Sequence, residues 1–269
     1  MDNFTDEMDF KILDADKYTF FVLKKILGFK NELLLTDHKR LVICFSQNPF
    51  PVWIWTSDDA TEEDMETAYK LSDGHGFLNG SHRINLKYTL AEYFIERAAS
   101  ENKSLSILTN MFAYDCQKLI SSDLLSKTDG NISKCKPGDE EELACFMDGM
   151  HNEINCDKKT KEEYLNDAVT SIAEGNAYFW KNAHGKNVAS CEWKPNDDMA
   201  SISLVFTRPE YRRKHYAENL VYQVTKIAAD SGFIPMLYTD ADYVASNACY
   251  EKIGYVLRGK LCTIGRTGS

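Results

Sequence analysis

Proline is scarce, six residues in 269, while 43% of the side chains are hydrophobic and 12% aromatic. Such a composition excludes a disordered or low-complexity chain, and both halves hold enough apolar material to build a core. Positive charge is short as well: 31 Lys and Arg stand against 41 Asp and Glu, for a formal net charge of −10. With an isoelectric point near 5.2, no broad basic face is expected, so neither nucleic acid nor an anionic membrane is an expected partner. The eight cysteines (Cys44, Cys116, Cys135, Cys145, Cys156, Cys191, Cys249 and Cys262) contain no Cys-x-x-Cys pair. They read as reduced core thiols of a cytoplasmic protein rather than as a disulfide framework or a zinc site. No stretch approaches 18 consecutive apolar residues, and "MDNFTDEMDF" lacks the basic flank and apolar run of a signal peptide. His75 and His82 in "DGHGFLNGSH" have no cysteine ligands nearby and read as loop residues, so no metal is expected.

What is present is an alternation of helical and extended patterns. At this length two domains of roughly 130 residues each are expected. In the first half, "YTFFVLKKILGF" (18–29) and "ATEEDMETAYKLS" (60–72) read as helices. "LVICFS" (41–46) and "VWIWTS" (52–57) read as strands about a "QNPFP" turn. "INLKYTLAEYFIERAAS" (84–100) passes into a helix and "SLSILTNMFAYDC" (104–116) contains a strand. The polar connection "LISSDLLSKTDGNI" (119–132) places a boundary near residue 130, giving an N-terminal α/β domain over 1–129 and a second domain over 130–269. The second half reads as a short strand at Ile132–Lys136, two capped helices, and three successive strands ending in "ASISLVFT". A long helix, the strand "IPMLYT", a short helix and a final strand pair around Gly259 complete it.

One short stretch carries chemistry. In "TRPEYRRKHYAENL" (207–220) a strand end marked by Pro209 is followed by Arg212, Arg213 and Lys214. Ala217, Leu220, Val221, Val224, Ile227 and Ala228 then recur at helical steps. A helix starting near His215 offers unpaired N–H groups and the positive end of its dipole to an anion. For an isolated basic run a solvated loop is the commoner reading. The strand–turn–helix setting is the one an anion-binding loop requires.

Here the sequence resembles the GCN5-related N-acetyltransferase (GNAT) family, of the two-domain type found in bacteria. The family signature is Arg/Gln-x-x-Gly-x-Gly/Ala, and "RRKHYA" supplies Arg212 and Ala217 at the right spacing, after the similar lead-in "VFTRPEYRR". "SNACYEKIGY" is similar to the family's Asn-x-x-x-Tyr-x-x-x-Gly-Phe/Tyr element in all but the first spacing, with Asn247, Tyr250 and Gly254. As an order of elements the resemblance runs over residues 130–265, and its specific part is 202–258.

The resemblance implies an α/β (α+β) architecture: a C-terminal acyl-CoA N-acyltransferase fold with a mixed, mostly antiparallel sheet flanked by helices. The N-terminal α/β domain would then be a degenerate copy of the same fold, although nothing like the signature occurs in it. Acetyl-CoA is the implied co-substrate and an amine, small-molecule or peptide, the acceptor; a homodimer is compatible with it. Arg212, Arg213, Lys214, His215, Tyr216 and Ala217 would hold the diphosphate. The backbone of Val205, Phe206 and Thr207, beside an implied bulge, would hold the pantetheine arm together with Asn247. Tyr250 would be the general acid. Read without the resemblance, Tyr250 packs in the core and Asn247 caps a turn. His215 stands where the family has its first glycine. Its imidazole points outward, serves as an extra phosphate donor, or weakens binding, and the last case leaves a non-catalytic CoA-binding regulatory module as the alternative function. Glu192, on the preceding strand, is a candidate base, though strand carboxylates are usually just solvated.

Overall fold

The computed structural model describes residues 1–154 and 158–266, so Cys156 lies outside the described residues. The first half contributes α1 (Glu7–Ile12), α2 (Phe21–Leu27), β1 (Leu33–Thr36), β2 (Leu41–Phe45), β3 (Val52–Thr56), α3 (Glu62–Gly74), β4 (Ile84–Leu86), α4 (Tyr88–Ser100) and β5 (Ser106–Asp115). It is followed by β6 (Asn131–Lys134), α5 (Glu140–Glu153), α6 (Lys161–Glu174), β7 (Ala177–Lys181), β8 (Asn187–Asn196), β9 (Met199–Thr207), α7 (Tyr216–Asp230), β10 (Ile234–Asp240), α8 (Val244–Ile253) and β11 (Val256–Gly265). Two compact units result, neither of them one run of chain. The first takes Met1–Tyr114, Tyr238–Val244 and the residues from Leu257 on; the second takes Asp115–Leu237 and Ala245–Val256.

In the first unit the strands lie in the order β1-β2-β3-β4-β11-β5. All five residues of β2 and of β3 are buried, because the sheet is covered on both faces. The two-residue period sorts them. Leu41, Ile43, Phe45, Val52 and Ile54 join Tyr69, Phe94 and Ile264 in one cluster, while Val42, Cys44, Trp53 and Trp55 join Phe20, Leu23 and Leu261 in another. The C-terminal residues expected to form a strand pair around Gly259 form the single strand β11 instead. Gly259 marks a close approach, not a turn: a Cβ on it would stand 2.1 Å from Thr19 Oγ1.

In the second unit the order is β10-β9-β8-β7-β6, antiparallel except for the β9–β10 pair. Leu143, Phe146, Met147, Tyr164, Phe179 and Phe206 build a core between α5, α6 and the sheet. The stripe expected on α7 is present: Leu220, Val221, Val224 and Ala228 are buried, with Ala217 and Ile227 half-buried at its margins. Of the two helices expected to be capped, α6 carries a full capping box from Thr160 and Glu163. α5 has none, since the Asp139 carboxylate accepts the Lys136 amide instead. The fold class is the expected one, a mixed and mostly antiparallel sheet with helices.

The described cysteines are all free thiols. Cys44, Cys116, Cys135, Cys191 and Cys262 are buried and Cys249 half-buried, but Cys145 is exposed, a correction to its reading as a core thiol. Burial pushes the thiols of Cys44 and Cys262 up to about 12, so they are inert. No helix among the described residues is long and apolar enough to cross a membrane.

Candidate active site

The site begins in β9. Its ladder with β8 pairs Ser190 with Phe206 and Glu192 with Ser203, so Leu204 and Val205 stand opposite Cys191 alone. This is a β-bulge, and Leu204 takes a left-handed φ of 52° in it. On the other edge, the parallel ladder with β10 pairs Met199–Ser201 with Ile234–Met236 and runs no further. Val205, Phe206 and Thr207 lie beyond that ladder. The Thr207 hydroxyl oxygen is buried without a partner among the described residues.

Arg212 joins this strand end to the turn that follows. Its Nε donates to the Thr207 carbonyl at 3.1 Å and its Nη2 to Glu153. Two of five guanidinium donors are thus used and three remain. Arg213 and His215, at φ of 60° and 61°, are both in the left-handed region. A residue there favours glycine, so the backbone needs at position 215 what a glycine would give freely. The turn at 212–213 is closed by the Lys214 amide, and the four amides that follow, from His215 to Glu218, donate to no backbone acceptor among the described residues. They form a concave donor set at the front of a 15-residue helix.

The side chains around it are sorted more finely than their sequence suggests. Lys214 Nζ lies 5.4 Å over the Tyr211 ring. Tyr216 turns its hydroxyl to Asp129 at 2.5 Å, which raises the phenol to about 12 and leaves its amide, not its side chain, at the helix front. His215 Nδ1 lies 3.1 Å from Glu218 Oε2 with half its side chain exposed. The imidazole is therefore tied to the first turn of its own helix. Asn247, Tyr250 and Ile253 form the buried stripe of α8. The Tyr250 ring meets Tyr255 edge-on at 5.9 Å. Burial pushes the Tyr250 hydroxyl's pKa up. Gly254 ends the helix at φ 116°, where a Cβ would come 2.6 Å from the Lys118 carbonyl oxygen.

Glu192, a passing candidate in the sequence, emerges with a defined place. It is buried, accepts from Ser171 Oγ at 2.8 Å and from Ser203 Oγ at 3.0 Å, and lines a cavity of about 260 Å³ with Met147, His151, Ser203 and Leu204. Burial, helped by the charge of Lys159, holds His151 below the usual imidazole range. The cavity draws on α5, α6, β8 and the β9 bulge, elements whose convergence leaves no local motif. His75 and His82 pack against Phe77, as loop residues do.

A bulged strand that leaves its ladder, open amides at a helix front and a buried Asn–Tyr stripe on the next helix all belong to the second unit. Residues 144–255 match the model of the acetyltransferase (GNAT) family. Solved structures extend the likeness over the whole chain. An acetyltransferase of the GNAT family from Colwellia psychrerythraea superposes with a TM-score of 0.59 at 12% identity, covering 99% of each chain. GCN5-related N-acetyltransferases from Sphaerobacter thermophilus and Kribbella flavida give 0.64 at 12% and 0.58 at 15%, covering 92% and 95% of this chain and 86% and 96% of theirs. At such identities the likeness is one of fold. No curated protein matches the sequence.

Proposed function

We propose that the chain is an acetyl-CoA-dependent N-acetyltransferase that passes the acetyl group directly to an amine, whether of a small molecule or a peptide. The observation that carries this reading is the set of open amides from His215 to Glu218, after a bulged strand, within a segment that matches the GNAT family model. These amides would grip the diphosphate of coenzyme A, with Arg212, Arg213 and Lys214 adding charge and the Tyr216 and Ala217 backbone completing the cradle. The pantetheine arm would run along the backbone of Val205, Phe206 and Thr207, with Asn247 beside it.

The amine nitrogen loses a proton to Glu192, directly or through water, and forms its bond to the thioester carbon. Two serine hydroxyls hold Glu192 in place for that task. The carbon–sulfur bond then breaks with its electron pair on sulfur. Burial keeps the Tyr250 hydroxyl protonated at neutral pH. Because a thiol pKa of about 8.5 lies below that of a phenol, Tyr250 stabilises the departing thiolate by donating a hydrogen bond, and the thiolate takes up a proton afterwards.

The test is thiol release from acetyl-CoA with a panel of amines. Tyr250→Phe should lower turnover by about a hundredfold and leave coenzyme A affinity unchanged. Full turnover in that variant would overturn the role of Tyr250 in expelling the thiolate, and absence of coenzyme A binding by calorimetry at millimolar concentration would overturn the whole reading.

A further inference from the structure

The imidazole of His215 occupies a place in the cradle where a side chain is a hindrance, and one carboxylate holds it. Glu218 is buried in the first turn of α7. Its Oε2 takes His215 Nδ1 at 3.1 Å, while its Oε1 accepts the Lys252 ammonium and the Ser126 amide, both at 2.7 Å. Lys252 lies two residues beyond Tyr250 on α8 and also donates to Ser126 Oγ at 2.7 Å. Asn219 Nδ2 donates to the Ser126 carbonyl and the Thr128 hydroxyl to the Lys214 carbonyl, so residues 126–128 are strapped along the helix front.

A buried carboxylate with three donors is an expensive arrangement unless all of them are kept. Burial alone would raise the Glu218 carboxyl, but the bonds from Lys252, Ser126 and His215 outweigh it and hold it below the usual range. Glu218 is therefore charged, and its two oxygens serve two different sides of the site.

The geometry points to Glu218 as the positioning residue of the cradle: it draws the His215 imidazole back along α7, leaving the amides open to a diphosphate, and through Lys252 it sets the helix that carries Asn247 and Tyr250. The inference rests on the acetyltransferase reading and adds to it a division of labour within one carboxylate. Removing the charge should do two separable things. It frees the imidazole to crowd the cradle, and it loosens α8.

A cycle of Glu218→Gln and His215→Gly in the full chain separates them, read as coenzyme A affinity by calorimetry and turnover with one amine. Glu218→Gln is expected to weaken coenzyme A binding by about tenfold when His215 is present and by less than about twofold with glycine there. Lys252→Met, which spares the His215–Glu218 contact, should lower turnover by more than it weakens coenzyme A binding, and an effect on affinity alone overturns the second arm. Thermal melts establish that each variant folds, and Lys252→Met keeps the second arm testable if Glu218→Gln does not. An equal loss of affinity in both backgrounds overturns the inference and leaves the acetyltransferase reading intact. A wild-type chain that binds no coenzyme A overturns both.

Discussion

At the scale of single residues, two histidines in left-handed backbone are each held by acids, His215 in the second unit and His38 in the first. His38 Nδ1 lies 2.8 Å from Asp9 Oδ2 and its Nε2 3.1 Å from Asp2 Oδ2. Asp9 is fully buried and also accepts from Thr36 Oγ1. The hydrogen bond to Asp9 raises the His38 pKa, and burial opposes it without cancelling it. A folded pKa above the unfolded one means that His38 stabilises the protein fully below about pH 6.5. That contribution is lost as pH rises through the folded value. The stability gap between the wild type and His38→Gln, from urea melts over a pH series, should therefore shrink as pH climbs from that point. A gap that stays constant would show that His38 acts uncharged. Neither histidine's partners could be read in advance, since Asp9 is 29 positions from His38 and a Glu in a helix's first turn, such as Glu218, is commonplace.

At the scale of elements, most of the pattern was legible. The α7 stripe, the burial of β2 and β3 and the order of the second-half strands follow from apolar periods that packing respects. What periodicity cannot show is the approach of distant backbones. Gly259 read as a turn because a glycine in an extended run has two explanations, and only the position of Thr19 decides between them. The stretch 119–132 read as a linker from its polarity, yet those polar groups are spent on the front of α7 and on Asp129, whose oxygens take Tyr216, Ala183 and, through its carbonyl, Trp180. The Glu192 cavity was hidden for the same reason, its serines coming from α6 and β9. Gly149 is a further case. It sits within α5, and a Cβ there would lie 2.8 Å from the Phe206 ring, which stands beside the bulge. Gly149→Ala should gain helix propensity yet lose about 1–3 kcal/mol by overpacking, measured by chemical denaturation. Were the variant more stable than the wild type, the packing of α5 on β9 would be looser than described.

At the scale of the whole molecule, the break in sequence chemistry near residue 130 and the division of the packed structure are different things. The second unit reaches back to Asp115, where the Cys116 amide donates to the Pro235 carbonyl and the Ile120 amide to Ile253. The first unit takes in the C-terminal strand, whose Leu261, Cys262 and Ile264 are fully buried in its clusters. A fragment 130–269 would lose Asp129 and Ser126 from the cradle. It would also carry the C-terminal strand with nothing to cover it, Leu261 and Ile264 each losing burial worth about 1.5–3 kcal/mol. Together with the bonds lost from Asp129 and Ser126, that is a large share of a total stability of about 5–15 kcal/mol. The fragment should show no cooperative thermal transition by circular dichroism, whereas the full chain should. A cooperative melt of the fragment, with coenzyme A binding retained, would mean that the second half is self-sufficient and that the C-terminal strand repacks without its neighbours.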